Sequence, residues 1–279
     1  MVGHVEWVQF GRVEHVPRPG EVVHARECFA EPAGGGAVAA VQLAALAGDA
    51  QLLTALGDDD LAKRSAARLR ELGVRVCAAS RKGQDTRSAL TLIDDRGERT
   101  ITTLGPRLQA VGADIGLPWA QLAEADAVYF TAGDLEALHA ARAARVLVAS
   151  PRAREALGRG VPLDAIILSA DDSIERRELA RAQGEAALVL MTEGERGGSY
   201  RGTNGESGRW APAPVPGPPL DTYGCGDSFA AGLAFGLGAG MNVDDAISLA
   251  ARCGAVCATG RGPYGRLLTL AGKAAQRAG

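Results

Sequence analysis

The chain has 279 residues, enough to bury one large α/β core without disulfides or a structural metal. Thirty basic residues against 33 acidic ones leave a net charge of −3, and the positive residues are scattered, which excludes the basic footprint of a nucleic-acid or anionic-membrane binder. Five cysteines (Cys28, Cys77, Cys225, Cys253, Cys257) form no CxxC pair, no apolar run reaches the 18 or so residues of a membrane span, and no basic-then-apolar leader opens the chain; the expectation is a soluble cytoplasmic protein with reduced thiols and a small-molecule partner.

Residues 2 to 8 read as a short strand and residues 22 to 30 as another, with Pro17, Pro19 and Gly20 turning the chain between them. After Pro32, Gly34 to Gly36 lead into AVAAVQLAALA, whose near absence of polar groups suits a helix packed on a sheet. Gln51 to Leu56 predicts a strand ending at Gly57. Asp58 to Asp60 then cap a helix whose apolar face is Ala62, Ala66, Leu69 and Leu72 before Gly73 stops it. A strand over 74 to 79 follows. Ser88 to Ile93 and Thr100 to Leu104 flank DDRGE as a β-hairpin flanks its turn, and with residues 22 to 30 they predict a separate small sheet.

From residue 127 the runs AVYFT, RVLVA, AIILS and ALVLMT alternate with Ala- and Arg-rich segments, the rhythm of buried parallel strands with crossover helices. APAPVPGPPL, residues 211 to 220, cannot be regular structure and predicts an extended connection. Two helices close the chain, one from Ser228 and one from Val243, the second capped by Asn242 with Asp245 three residues on.

The chemistry concentrates in DTYGCGDSF, residues 221 to 229. Gly224, Cys225 and Gly226 stand just ahead of a helix, so their backbone N–H groups converge where a helix N-terminus attracts phosphate. Asp227 at the same spot can accept a proton from a hydroxyl attacking that phosphate. The three lysines, Lys63, Lys82 and Lys273, include none in a GxxxxGK[ST] loop, which excludes a Walker-type site. His4, His15, His24 and His139 lack ligand spacing and are assigned to packing or the surface.

Residues 221 to 229 resemble the DTxGAGDxF signature of the PfkB, or ribokinase-like, carbohydrate kinases, with Cys225 in place of alanine. PGEVVHA at 19 to 25, the glycines 34 to 36, TEGERGG at 192 to 198 and ATGRGP at 258 to 263 are similar to further family segments in the same order. The resemblance implies a three-layer α/β/α core with a mostly parallel sheet, one domain over residues 1–279, and an inserted β-sheet lid from about 12–31 and 86–104. It implies ATP with Mg²⁺ as phosphoryl donor, Thr192, Gly194, Gly197, Thr222 and Gly262 along the nucleotide, and transfer to a hydroxymethyl group. Asp172, within SADD where the family carries NxxE, would act on Mg²⁺ through water. The carbonyls of Asp221 and Thr222 would seat a monovalent cation such as K⁺, and lids would pair two subunits in a homodimer.

Departures from the family gather at the acceptor end. Glu6 stands for a common asparagine, Val8 for the sugar-binding aspartate and Ala39 for the asparagine of the glycine signature. Glu6, Gly35, Gly36, Ala39 and Arg87 are therefore the acceptor-site candidates beside Asp227, with Trp7 and Gln9 as further replacements, and the loss of two hydroxyl binders argues against ribose or fructose held in the usual way. Two other readings stand beside the kinase: a relative that only senses a metabolite, and a dinucleotide-binding oxidoreductase suggested by Gly34, Gly36 and Ala39 as GxGxxA with acids at 58 to 60.

Overall fold

The computed structural model describes residues 1–182 and 184–270. In chain order the elements are β1 (Glu6–Arg12), β2 (Glu27–Ala33), α1 (Gly35–Ala47), β3 (Ala50–Gly57), α2 (Asp60–Glu71), β4 (Val74–Arg81), β5 (Ser88–Ile93) and β6 (Arg99–Leu104). There follow β7 (Ala127–Phe130), α3 (Leu135–Ala141), β8 (Val146–Ala149), β9 (Leu163–Ser169), α4 (Ser173–Leu179), β10 (Ala186–Thr192), β11 (Gly198–Gly202), β12 (Ser207–Trp210), α5 (Cys225–Gly238) and α6 (Val243–Cys257).

The large sheet runs β12-β11-β10-β9-β8-β7, and Val2 then bridges β7 to the parallel pair β3-β4 by pairing with both Phe130 and Leu53. All of its pairs are parallel except the β10-β11-β12 meander. Alternate residues divide between two faces. Tyr129, Val148, Ala165 and Ile167 enter the core beneath α1, α2, α5 and α6, whereas Val128, Phe130, Leu147 and Ile166 enter the core on the side of α3. Helix α1 needs no polar face because it lies between this sheet and α5, with Gly35 to Gln42 all buried. Asp59 caps α2 by accepting from the Ala62 amide, and Asn242 caps α6 by accepting from Asp245, as the spacing predicts.

The lid is a four-stranded sheet of order β2-β1-β5-β6. It begins earlier than the expected residue 12, since the segment read as one strand over 2 to 8 divides between two sheets. Val2 belongs to the core, and from Glu6 the chain pairs with β2 and β5 in the lid. The break falls at Gly3, where a Cβ would lie 2.5 Å from Thr131 Oγ1 and 2.7 Å from Gly36 Cα, so only glycine lets the two segments cross. The second strand also starts later than expected, at Glu27, leaving Val22 82% exposed in irregular chain. The β11-β12 hairpin has no counterpart in the sequence reading; its short, Gly- and Arg-rich strands lack an apolar alternation.

Candidate functional site

The site is a cleft between lid and core, at the carboxyl ends of the parallel strands, where crossing loops leave room for a ligand. His4, Glu6, Gly34, Gly35, Arg99, Ile101, Tyr129, Ser150, Arg152, Ser169, Glu175, Thr192, Gly224, Gly226 and Asp227 line it. Helix α5 enters from below. Gly224, with φ of 83°, turns the chain into the helix, and a Cβ there would press on Val38 at 3.0 Å. A Cβ on Gly226 would meet nothing within 4 Å, so the first turn of α5 presents bare backbone to the cleft.

Asp227 stands in that first turn, and an ideal Cβ on Gly35 would lie 3.0 Å from its Oδ1. The α1 and α5 N-termini thus approach each other around one carboxylate. Loss of solvent pushes its pKa up to about 6, with Glu175 pushing the same way and Arg152 and Arg99 opposing. A carboxylate poised near neutrality is suited to taking a proton.

Arg152 follows β8 and spans two acids: Nη2 is 2.6 Å from Asp172 Oδ2, and Nε is 2.6 Å from Glu175 Oε1. Glu175 also accepts from the Ser169 amide at 2.8 Å, which ties α4 to the end of β9. Lid residue Arg99 reaches down to donate to Thr222 Oγ1 at 2.7 Å, and Arg12 donates to the Leu220 carbonyl at 3.3 Å. Asp221 is buried, accepting from the Tyr223 and Gly262 amides at 3.0 and 2.9 Å, so it staples the 221 to 224 turn to the loop after α6.

The sequence candidates divide by position. Asp227, Gly224, Gly226, Glu6, Gly35 and Thr192 line the cleft. Arg87 sits behind Glu6, Nε to Oε2 at 3.4 Å. Gly36 packs on the Gly3–His4 backbone and donates to the His4 carbonyl at 3.1 Å. Ala39, on α1, is fully buried in the core and does not line the cleft. Val8 likewise faces the lid core with Phe10 and Val38. Asp172 spends Oδ1 on the Ile174 and Glu175 amides at the start of α4 and Oδ2 on Arg152, so the capping role is realised. Gly194 stands in open space at the β10-β11 turn, whereas a Cβ on Gly197 would lie 2.1 Å from the Trp210 carbonyl oxygen. Gly262 abuts the ring of lid residue Phe29. Cys225 is absent from the cleft lining and its thiol faces Cys257, and a hydrogen bond with that thiol followed by burial pushes its pKa up.

The sequence reading passed over Arg99, Arg152 and Glu175, and assigned His4 to packing. Ser150 and Arg152 lie just past β8, and Ser169 ends β9, so the rule that ligands gather beyond parallel strand ends was an available signal. His4 carried none. Its ring lies against Gly34 and Gly35 only because the chain crosses α1 there. Burial, with Arg107, Arg87 and Arg152 around it, holds its pKa down at about 3, so it is a neutral imidazole.

The fold is that of the ribokinase-like kinases. The structure is similar to a putative ribokinase from Agrobacterium tumefaciens (TM-score 0.77, 22% identity, 95% of this chain and 92% of that one). It is similar also to the adenosine kinase of Sinorhizobium meliloti (TM-score 0.76, 18% identity, 99% and 98%) and to Arabidopsis thaliana ribokinase complexed with ribose and ATP (TM-score 0.67, 17% identity, 95% and 94%). The chain belongs to the pfkB family of carbohydrate kinases, whose family model matches residues 1–156 and 163–269, and these are phosphotransferases. No curated protein matches it. The dinucleotide reading fails on topology, because the strand entering the glycine turn is the antiparallel lid strand β2 and not the first strand of a βαβ unit.

Proposed function

We propose that this protein transfers the γ-phosphoryl group of ATP to a hydroxymethyl group of a small sugar-like or nucleoside-like acceptor, with Asp227 as the base. One observation carries the reading: a carboxylate with pKa raised to about 6 stands in the first turn of α5, beside the unobstructed backbone of Gly226 and in the cleft between lid and core. Asp227 takes the acceptor's proton as the hydroxyl attacks, and the amides of Gly224, Cys225 and Gly226 hold the charge of the transferring group. Arg99 and Arg152 bring two further positive charges to this end of the cleft. Thr192, at the end of β10, and Gly194 at the next turn would border the nucleotide, with Gly197, Thr222 and Gly262 shaping the loops around it.

Among the described residues no group of three ligating side chains forms a metal cage. The proposed Mg²⁺ would arrive on the phosphates with most of its waters, and Glu175, which lines the cleft, with Asp172 beside it across Arg152, would accept from those waters. When bound, the ion would neutralise charge developing between the phosphates. The carbonyls of Asp221 and Thr222 are the proposed seat of a monovalent cation. A homodimer through the lid is part of the proposal, since β6 is an exposed edge along its whole length. No helix among the described residues is long and apolar enough to cross a membrane, and the working compartment is proposed to be the cytoplasm.

ADP release measured with the pure protein, ATP, Mg²⁺ and an acceptor panel tests the reading. Turnover that vanishes in Asp227→Asn is expected and would also dismiss the metabolite-sensor alternative. Stabilisation of the protein by NAD(P) and not by ATP·Mg²⁺ would overturn the kinase.

A further inference from the structure

Beyond Asp227, polar groups without partners stand in the cleft wall, where His4 and Glu6 line it, and packed against that wall, where Arg87 and Thr131 lie. His4 Nδ1, Glu6 Oε2, Arg87 Nε and Thr131 Oγ1 are buried and make no hydrogen bond, although His4, Glu6 and Thr131 are 7%, 6% and 1% exposed. Unpaired buried polar atoms of this number are costly, and a ligand that bonds to them removes the cost. The Glu6–Arg87 pair stands at 3.4 Å, close enough for attraction but not aligned as a hydrogen bond, so both groups keep capacity for a third partner.

The charges at this end do not balance. Arg107 is half-buried and has no carboxylate within ion-pair distance among the described residues; its guanidinium is held by the Arg152 carbonyl at 3.1 Å and Gln109 Oε1 at 3.4 Å. Glu155 is the opposite charge that bears on it most, from beyond ion-pair distance, while Arg154, Arg87 and Arg152 bear on it with like charge. Arg152 is taken up by Asp172 and Glu175, and Glu155 accepts from Gln109, so among the described residues Glu6 pairs with Arg87 and no carboxylate contacts Arg107 directly. Neutral His4 adds no charge of its own. A half-buried guanidinium fixed by two carbonyl oxygens, with three like charges around it and one acid held off by Gln109, keeps capacity for a directly bonded anion.

We infer that the acceptor of this kinase carries an anionic group, a carboxylate or a phosphate monoester, which binds Arg107 and Arg87 while its hydroxymethyl group lies at Asp227. Glu6 Oε2 and His4 Nδ1 then meet the acceptor's hydroxyls between the two ends. The inference rests on the kinase reading and adds the substrate class, and it gives the missing neutral-sugar contacts at Val8 and Ala39 a reason.

The experiment measures kcat/KM with ATP·Mg²⁺ for three sets of acceptors of matched carbon skeleton: neutral sugars and nucleosides, hydroxymethyl sugar acids, and sugar monophosphates. One anionic set is expected to exceed its neutral parents by about 100-fold, and which set does so identifies carboxylate or phosphate. Arg107→Ala should lower the ratio of anionic to neutral kcat/KM by about 10- to 100-fold, the worth of a charge-assisted contact, chiefly through KM, with Arg107→Lys restoring part of it. Equal or better use of neutral acceptors overturns the anionic class and leaves the kinase standing. If no acceptor turns over, calorimetric titration of the same compounds decides. Arg107-dependent binding of an acid or monophosphate keeps the anion site while the kinase reading falls, and no binding removes both.

Discussion

Asp227 is the residue on which reaction and stability pull in opposite directions. Its folded-state pKa of about 6 lies above the ordinary 3.8, so the folded protein holds that proton more tightly than the unfolded chain does. The stabilising contribution is therefore full below about pH 4 and lost as the pH rises through 6. Activity in the proposed reaction runs the other way, because only the ionised carboxylate can accept the acceptor's proton. The acid limb of kcat/KM is expected to bend at an apparent pKa near 6, and a limb near 4 would show a solvated carboxylate. Asp227→Asn should lower kcat by about 10²- to 10⁴-fold. At pH 7.5 the same variant should be more stable by on the order of 1–3 kcal/mol, read from urea unfolding. Cys225 supplies a second residue-scale test. Its thiol is paired with Cys257 and its pKa is raised, so alkylation at pH 7 should spare it while exposed Cys28 reacts, as peptide mapping would show. Rapid loss of activity with a label on Cys225 would mean that the thiol faces the phosphate end.

At the scale of elements, α5 separates what its glycines do for folding from what they do for binding. Gly224 is needed by the fold: its φ of 83° and the close Val38 make Gly224→Ala costly by roughly 1–3 kcal/mol. Gly226 is helical with open space beside it, so Gly226→Ala should hold or raise Tm by the greater helix propensity of alanine, about 1 kcal/mol. Its methyl would nonetheless occupy the phosphate approach, and ATP turnover should fall at least about 10-fold, for which on the order of 1.4 kcal/mol suffices. Unchanged turnover in a stable Gly226→Ala would place the phosphates elsewhere. The elements that periodicity revealed, α1, α2, α5, α6 and the strands near 50, 74, 90, 127, 146, 165 and 188, are those whose apolar faces are buried by neighbours on one or both sides. The β11-β12 hairpin escaped because an edge meander buries little and so leaves little pattern.

For the whole molecule, the question is how the lid is held down. Phe29 of β2 stacks on Phe10 at 4.6 Å and lies under the Arg261 guanidinium at 3.9 Å, while Arg261 pairs with Glu27. Tyr264 donates to the Pro32 carbonyl, and Arg99 and Arg12 clasp the 220 to 222 segment on the other side. The lid therefore rests on the two loops that flank the first turn of α5, and these contacts hold it against the core to form the cleft. Phe29→Ala should loosen it. Hydrogen exchange is expected to quicken in β1 and β2 with β9 and β10 unchanged, and KM for the acceptor to rise more than kcat falls. Uniformly faster exchange would show that Phe29 supports the core and not the lid alone.

DTYGCGDSF by itself pointed to the family and to the proposed phosphoryl transfer, because a glycine turn, a helix start and an acid at fixed spacing stand together in one short block of sequence. The alternation of apolar runs likewise determined the layered core, since burial on both faces leaves its mark residue by residue. The acceptor end was decided only by tertiary structure. His4, Glu6, Arg87, Arg107 and Arg152 come from separate loops and strand ends, and no periodicity links them. They meet because Gly3 lets the chain cross α1 into the lid and because β8 ends beside that crossing. A charge balance among groups so far apart in sequence exists only once the chain has folded.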